Sequence, residues 1–263
     1  MSQASPQPDP LDPELAERLQ RSRAEGDHFP EWMAGTIDLD TALQLQLSVL
    51  ESERSHGTRV GGWKVGLTSE ASRQALGADE RPFGFIRANR TLESPATVDY
   101  QAVRGLSIET EMCFTIARDI GDPEITPDRI LNHVLGVSAG FELNEARTGS
   151  APPDFFSQVT DCLTNWGIVH GPPASFTDAG ALSDCTISMR RNGETVFEGV
   201  SRDFVDDHAV SLCRLVAQLA RHGEVLRSGQ RVITGAFARF PTDPGDRWIA
   251  DFSGIGSAEV LVR

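Results

Sequence analysis

Long apolar runs are missing from this chain. None of its 263 residues falls in an apolar stretch of 18, so no membrane-spanning helix is expected. Cationic residues are also scarce: Lys plus Arg number 24 against 38 Asp plus Glu, a formal charge of −14. The basic residues nowhere form more than a pair in sequence. Holding phosphates or an anionic lipid surface needs a basic face, so nucleic acid and membranes are excluded as partners. Cysteine is sparse and never paired as C-x-x-C. Cys113, Cys162, Cys185 and Cys213 read as reduced, buried thiols of a cytoplasmic protein rather than a disulfide frame or zinc site. The first ten residues have neither a basic nor an apolar region, so they are not read as a secretory signal. The sequence also lacks G-x-G-x-x-G, G-x-x-x-x-G-K-[ST] and H-E-x-x-H, which withdraws the usual support for nucleotide and zincin chemistry.

What is present is α+β in texture. Four prolines up to Pro13 predict a loose tail, followed by a helix over 14–24 that stops near Gly26. A second helix should start at Asp38 or Asp40, either of which can cap it, and run to about Ser55 before Gly57. After Gly61, short β-branched runs between Gly, Pro and Asp predict strands at 63–66, 111–117, 134–141, 168–170, 186–189, 195–200, 231–234, 248–251 and 259–262. Asn192-Gly193 predicts a tight hairpin. Further helices are expected at 69–76, at 127–133 behind a Thr126 cap, and at 208–221. Strands and helices do not alternate, which argues against a parallel doubly wound sheet. The division expected is a tail plus helical segment over 1–57 and a β-rich catalytic part over 58–263.

Chemistry is carried by carboxylates and one lysine. Glu109-Thr-Glu111 places two acids at i and i+2, on one face of a strand. Glu142 ends the apolar run 134–141. Three such carboxylates suit a hard octahedral cation, Mg²⁺ or Mn²⁺, although E-x-E at a strand start is also what a solvated edge looks like. Lys64 lies inside the apolar run Trp63-Lys64-Val65-Gly66-Leu67; from spacing alone, snorkelling to the surface is favoured over a buried partner. Gly136-Val-Ser138-Ala-Gly140 spells a nucleophile elbow, but no helix follows it, and it reads as a chance match in a strand.

Several segments in register resemble the 2-keto-4-pentenoate hydratase family of the fumarylacetoacetate hydrolase superfamily. They are Gly62-Trp-Lys-Val-Gly-Leu-Thr-Ser69, Phe83-Gly84, Ile108-Glu-Thr-Glu-Met112, Gly140-Phe-Glu142, Leu226-Arg-Ser-Gly229 and Thr234-Gly-Ala236. That family includes 2-oxohept-4-ene-1,7-dioate hydratases and 4-oxalocrotonate decarboxylases. The resemblance implies a mixed β-roll, a homo-oligomer, and one Mg²⁺ or Mn²⁺ on Glu109, Glu111 and Glu142, with Lys64 as the active-site lysine. A 2-oxo acid would be the substrate, most simply a 2-hydroxy-2,4-dienoate hydrated to a 4-hydroxy-2-oxo acid in aromatic catabolism. Leu67, Arg81, Asn165 and Arg239 are its candidate substrate contacts.

Two departures bear on the reaction. Family hydratases carry an Asp before the Phe-Gly step, where this chain has Pro82; Asp79 and Glu80, close in sequence, are the candidate replacement acids, with Glu80 the one carried forward. The usual Ala-Asp-Asn-x-x-x-Gly segment reads Asp161-Cys-Leu-Thr-Asn-Trp-Gly167, with Thr164 and Asn165 the candidates to restore its polar contacts. Metal and lysine alone do not separate a hydratase from a decarboxylase or tautomerase. An acylpyruvate hydrolase and a non-catalytic subunit of an enzyme complex are the remaining alternatives. His208 is expected to be a helix-start residue packed on the sheet.

Overall fold

The computed structural model describes residues 7–176 and 178–263. The start of the expected tail, through Pro6, lies outside the described residues. Residues 7–12 lead without regular structure into α1 (Pro13–Ala24), where the Asp12 carboxylate accepts from the Glu14 N–H. Asp38 caps α2 (Leu39–Ser55) by accepting from the Thr41 N–H, which settles the choice between Asp38 and Asp40. The chain then runs through β1 (Val60–Val65), α3 (Glu70–Leu76), β2 (Phe83–Arg87), β3 (Thr91–Glu93), β4 (Ala96–Val98) and β5 (Ser107–Ile116). Next come α4 (Pro127–Ile130), β6 (Val134–Asn144), α5 (Phe155–Thr160), β7 (Asn165–His170) and α6 (Ala179–Ser183). It closes with β8 (Thr186–Arg191), β9 (Glu194–Val200), α7 (His208–Arg221), β10 (Arg231–Pro241), β11 (Arg247–Phe252) and β12 (Gly256–Val262).

Two mixed sheets result, in an α+β arrangement as the sequence implies. One has the order β2-β1-β10-β5-β6-β7-β3 and the other β4-β12-β11-β8-β9. Strands β1 and β10 are parallel, as are β3 and β7, and β4 and β12; their other neighbours are antiparallel. The hairpin between β8 and β9 turns on Asn192 and Gly193, both at positive φ. The N-terminal helices are not a separate layer. Leu19, Leu43, Leu45 and Leu50 share one buried core with Trp63, Phe83 and Phe114 of the sheet. Gln46 is buried with them, and its amide donates to the carbonyls of Phe83 and Val159.

Differences from the expected elements have local causes. Thr126 precedes α4 but makes no side-chain cap, and only one α-helical turn forms before a 3₁₀ turn at 131–133. Strands β2, β3 and β4 are not anticipated, since their runs are short and carry no clear alternation. Among the described residues, no helix is long and apolar enough to cross a membrane.

Candidate functional site

The site grows from the pairing of β5 with β6. Antiparallel register sets Glu109 opposite Glu142 and Glu111 opposite Gly140. The two-residue spacing then brings all three carboxylates to one place, with a ligand oxygen from each within 4.8 Å of the others. Glu111 and Glu142 are buried. Glu111 is oriented from β10, where the Gly235 N–H donates to its Oε2 at 2.6 Å. Gly235 sits in a bulge of β10 at φ +124°, and a Cβ there would lie 2.0 Å from Thr68 Oγ1. Glycine is therefore required twice, for the backbone angle and for the close approach.

Lys64 does not snorkel. It is buried in β1, and its Nζ donates to Glu142 Oε1 at 2.6 Å and to the Leu163 carbonyl at 3.3 Å. A buried carboxylate in reach removes the reason to seek solvent. Asn165 Nδ2 donates to the same Glu142 oxygen at 2.8 Å, and Thr164 Oγ1 donates to Asn144 Oδ1. Burial pushes the Glu109 carboxyl up, Glu142 adds repulsion, and Lys64 only partly offsets them, leaving it at about 7. Glu111 is pushed well above its ordinary value by the same burial and repulsion. Glu142 goes the other way: burial opposes ionisation, but Lys64 and hydrogen bonds from Glu109 and Asn165 hold it below the usual range. Burial disfavours the Lys64 ammonium, yet the three glutamates keep it charged.

The residues fit a divalent cation. With all three carboxylates ionised, one ammonium would leave two negative charges uncompensated in a buried space, which is why Glu109 and Glu111 are pushed up without a cation, and Glu142 Oε2 is buried without a hydrogen-bond partner. Oxygen-only donors of this kind suit a hard cation. The carboxylates open on a cavity of about 250 Å³ whose wall includes Lys64, Glu109 and Glu111, the apolar Leu67, Leu163 and Phe204, and the hydroxyls of Ser69 and Ser72. A larger hollow of about 740 Å³ lies over β8, β9 and β11, but it brings no comparable group of functional side chains together.

Other expected residues are placed as follows. Leu67 is on the cavity wall at φ +52°, its carbonyl accepting from Arg73 Nη1. Asn165 is off the wall and reaches the site through Glu142. Glu80 does not take the place of the acid that Pro82 replaces: its Oε2 accepts from Gln218 Nε2 on α7 at 3.2 Å, and it is not on the wall. Arg81 is buried behind the wall, with Nη2 3.4 Å from the Thr68 carbonyl and 3.6 Å from Asp206. Arg239 is half exposed at the end of β10, with Nε donating to Ser107 Oγ and Nη1 3.4 Å from Glu109. His208 is buried, bridging Ser201 Oγ and Thr234 Oγ1. Ser138 lies in mid-strand and donates to the Cys113 carbonyl, which leaves no elbow.

Sequence reasoning missed the Leu163 carbonyl and the Ser69–Ser72 pair. No residue type announces the first, because Cys162, Leu163 and Thr164 are all left-handed without a glycine among them. Such a run costs about 1 kcal/mol or more per residue, so surrounding structure must impose it.

Comparison with known proteins agrees with this architecture. The sequence model of the family described as fumarylacetoacetate (FAA) hydrolase C-terminal matches residues 55–263. The 2-keto-4-pentenoate hydratase of Paraburkholderia xenovorans is 26% identical over 232 residues, covering 88% of this chain and 84% of its own. A 4-oxalocrotonate decarboxylase of a Pseudomonas strain is 24% identical over 246 residues, covering 92% of this chain and 93% of its own. In structure, the 4-oxalocrotonate decarboxylase of Pseudomonas putida G7, solved with magnesium and adipate, superposes with a TM-score of 0.84 at 21% identity, over 97% of this chain and all of that one. That last likeness establishes the fold. With the family match running through both sheets and the whole carboxylate site, the chain belongs to the fumarylacetoacetate hydrolase family, a family of enzymes.

Proposed function

We propose that this enzyme is a divalent-metal-dependent lyase that hydrates a small 2-hydroxy-2,4-dienoate to a 4-hydroxy-2-oxo acid. The observation that carries this reading is the triad Glu109, Glu111 and Glu142 with Lys64 against it, of which Lys64, Glu109 and Glu111 line a small cavity. Mg²⁺ or Mn²⁺ held by the three glutamates would supply a Lewis acid toward the carboxylate and keto oxygens of a 2-oxo acid. The protein's own groups do the rest. An ammonium has three donors, and Lys64 uses two on Glu142 and Leu163. The third is free to hold the substrate carboxylate or the negative charge that develops on its oxo group. Leu67, Leu163 and Phe204 pack the hydrocarbon part and keep bulk water out. The Gly235 amide fixes Glu111, and the Asn165 amide fixes Glu142, so the anionic wall is set before substrate arrives. All of these groups belong to the catalytic part, 58–263; none of the described residues before 58 lines the cavity.

A small cavity favours a small acid, and the relatives' names support the same class. The test is turnover of 2-hydroxypenta-2,4-dienoate with Mg²⁺ or Mn²⁺. Glu111→Gln should abolish both cation binding and turnover; unchanged binding and turnover in that variant would end this reading.

One observation favours decarboxylation of a 2-oxo-enedioate as a second reading. Among the described residues of the cavity wall the only carboxylates are Glu109 and Glu111, and no separate acid stands where family hydratases carry one. Decarboxylation needs the electron sink but no water-activating acid. Release of CO₂ from 2-oxohex-3-enedioate without hydration would select it.

A further inference from the structure

The segment 161–165 supplies the two groups that touch Lys64 and Glu142, namely the Leu163 carbonyl and the Asn165 amide. Between its ends lie three consecutive non-glycine residues at φ +56°, +54° and +67°. Nothing in Cys-Leu-Thr favours that conformation, and L-residues avoid it. Its persistence needs restraint at both ends.

Such restraint is present on the side away from the cavity. The Asp161 carboxylate is fully buried and lies 2.8 Å from Arg23 Nη2, 2.6 Å from Arg147 Nη1 and 3.5 Å from His28 Nδ1. Arg23 Nη2 also donates to the Thr160 carbonyl at 2.9 Å, so one guanidinium grips both the backbone and the side chain at the start of the run. At the far end, the Glu145 N–H donates to the Thr164 carbonyl, and Arg147 Nε donates to Glu145 Oε2. Arg23 belongs to α1, in the N-terminal segment, and is not on the cavity wall.

We propose that Arg23 and Asp161 are positioning residues: their ion pair, partly buried on the Arg23 side and fully on the Asp161 side, holds the left-handed run 162–164 so that the Leu163 carbonyl meets Lys64 and the Asn165 amide meets Glu142. The N-terminal helix is thereby part of the catalytic apparatus without reaching it. This inference rests on the reading of Lys64 and Glu142 as site residues.

The experiment uses the full chain with Arg23→Gln, Arg23→Lys and Asn165→Ala, and has two arms. The first is hydrogen exchange of the amides in 161–167, with β5 as internal control. Arg23→Gln should speed exchange in 161–167 while leaving β5 unchanged, and Arg23→Lys, which keeps the charge but only one of the two contacts, should fall between. The second is the split of kcat and KM on 2-hydroxypenta-2,4-dienoate with Mg²⁺. Arg23→Gln should lower kcat by about ten- to a hundred-fold, because small misplacements of catalytic groups cost that much, with KM little changed. In the Asn165→Ala background the same substitution should cost less than in wild type, since the Asn165 contact is already gone and only the Leu163 contact remains to be lost. Unchanged exchange in 161–167 overturns the proposal. So does a lowered melting temperature with kcat unchanged, or losses from Arg23→Gln and Asn165→Ala that simply multiply. If Arg23→Gln does not fold, Arg23→Lys decides: exchange and kcat equal to wild type overturn it. A wild-type protein inert toward every 2-oxo acid would sink the functional reading instead, and the exchange arm would still decide the role of Arg23.

Discussion

Replacing Glu109 by Gln should make the metal-free protein more stable, not less. The Glu109 carboxyl titrates at about 7 in the folded chain against an ordinary 4.5, because burial and Glu142 disfavour its charge. Between those two values the folded state holds a proton that the unfolded state has released. Stability therefore falls as pH rises through that window, and the loss is complete above pH 7. At about 1.4 kcal/mol per pH unit, the span from 4.5 to about 7 corresponds to about 3 kcal/mol. Glutamine has nothing to ionise. In chelator, Glu109→Gln should match wild type near pH 4.5 and exceed it by up to about 3 kcal/mol at pH 8. The ion pair between Arg239 and Glu109 disappears in the variant, but Arg239 is half exposed and the pair adds little. Mg²⁺ or Mn²⁺ in large excess should reverse the order, because a ligand present at a thousand times its Kd adds about 4.1 kcal/mol to the protein that binds it. Urea unfolding followed by tryptophan fluorescence, at pH 5 and pH 8, with chelator and with cation, reads all four conditions. A variant less stable than wild type at pH 8 in chelator, or a difference that does not change with pH, would refute the reasoning.

Three other outcomes are expected. Lys64→Met leaves Glu142 buried without its ammonium partner, held by the neutral Asn165 amide, and should cost about 3 kcal/mol or more in chelator. In the same variant turnover should drop by about 10²–10³-fold, read by steady-state kinetics at saturating cation. Gly235→Ala must force Thr68 Oγ1 out of the way and strain a φ of +124°; a lowered melting temperature and weakened cation binding should appear together, with Thr68→Ala relieving only the steric part. His208 is pushed down to about 4 by burial, against an opposing pull from Asp207. The unfolded state therefore takes up a proton first, so the contribution of His208 is present above pH 6.5 and lost as pH falls toward 4. That is about 3 kcal/mol, and His208→Gln should flatten this part of a urea-denaturation pH profile.

The parts of the molecule that were legible in the sequence are those governed by local periodicity. The cap and stop of α2, the span of α7, the Asn192-Gly193 hairpin, and the common face of Glu109 and Glu111 follow from rules that act within a few residues. Lys64 shows the limit. A lysine in an apolar run reads as snorkelling until Glu142, 78 residues away in sequence, is known to face it. The short strands β2, β3 and β4 were illegible because they are held by neighbours, with β4 paired only to β12 from the far end of the chain. The left-handed run 162–164 is the extreme case. Its sequence opposes its conformation, and the restraint comes from Arg23 on another element.

The order of strands in the larger sheet sets when this site can come into being. β10 lies between β1, which carries Lys64, and β5, which carries Glu109 and Glu111, although it is made long after both. On the ribosome, the lysine strand and the glutamate strand have no partner in common until residues 231–241 have emerged. The Gly235 amide that aims Glu111 arrives at the same moment. Pairing of β5 with β6 can bring Glu109, Glu111 and Glu142 together earlier, but until β10 arrives they lack both Lys64 and the Gly235 amide. The charge balance and the aim of Glu111 are thus completed only as the sheet closes, late in biosynthesis.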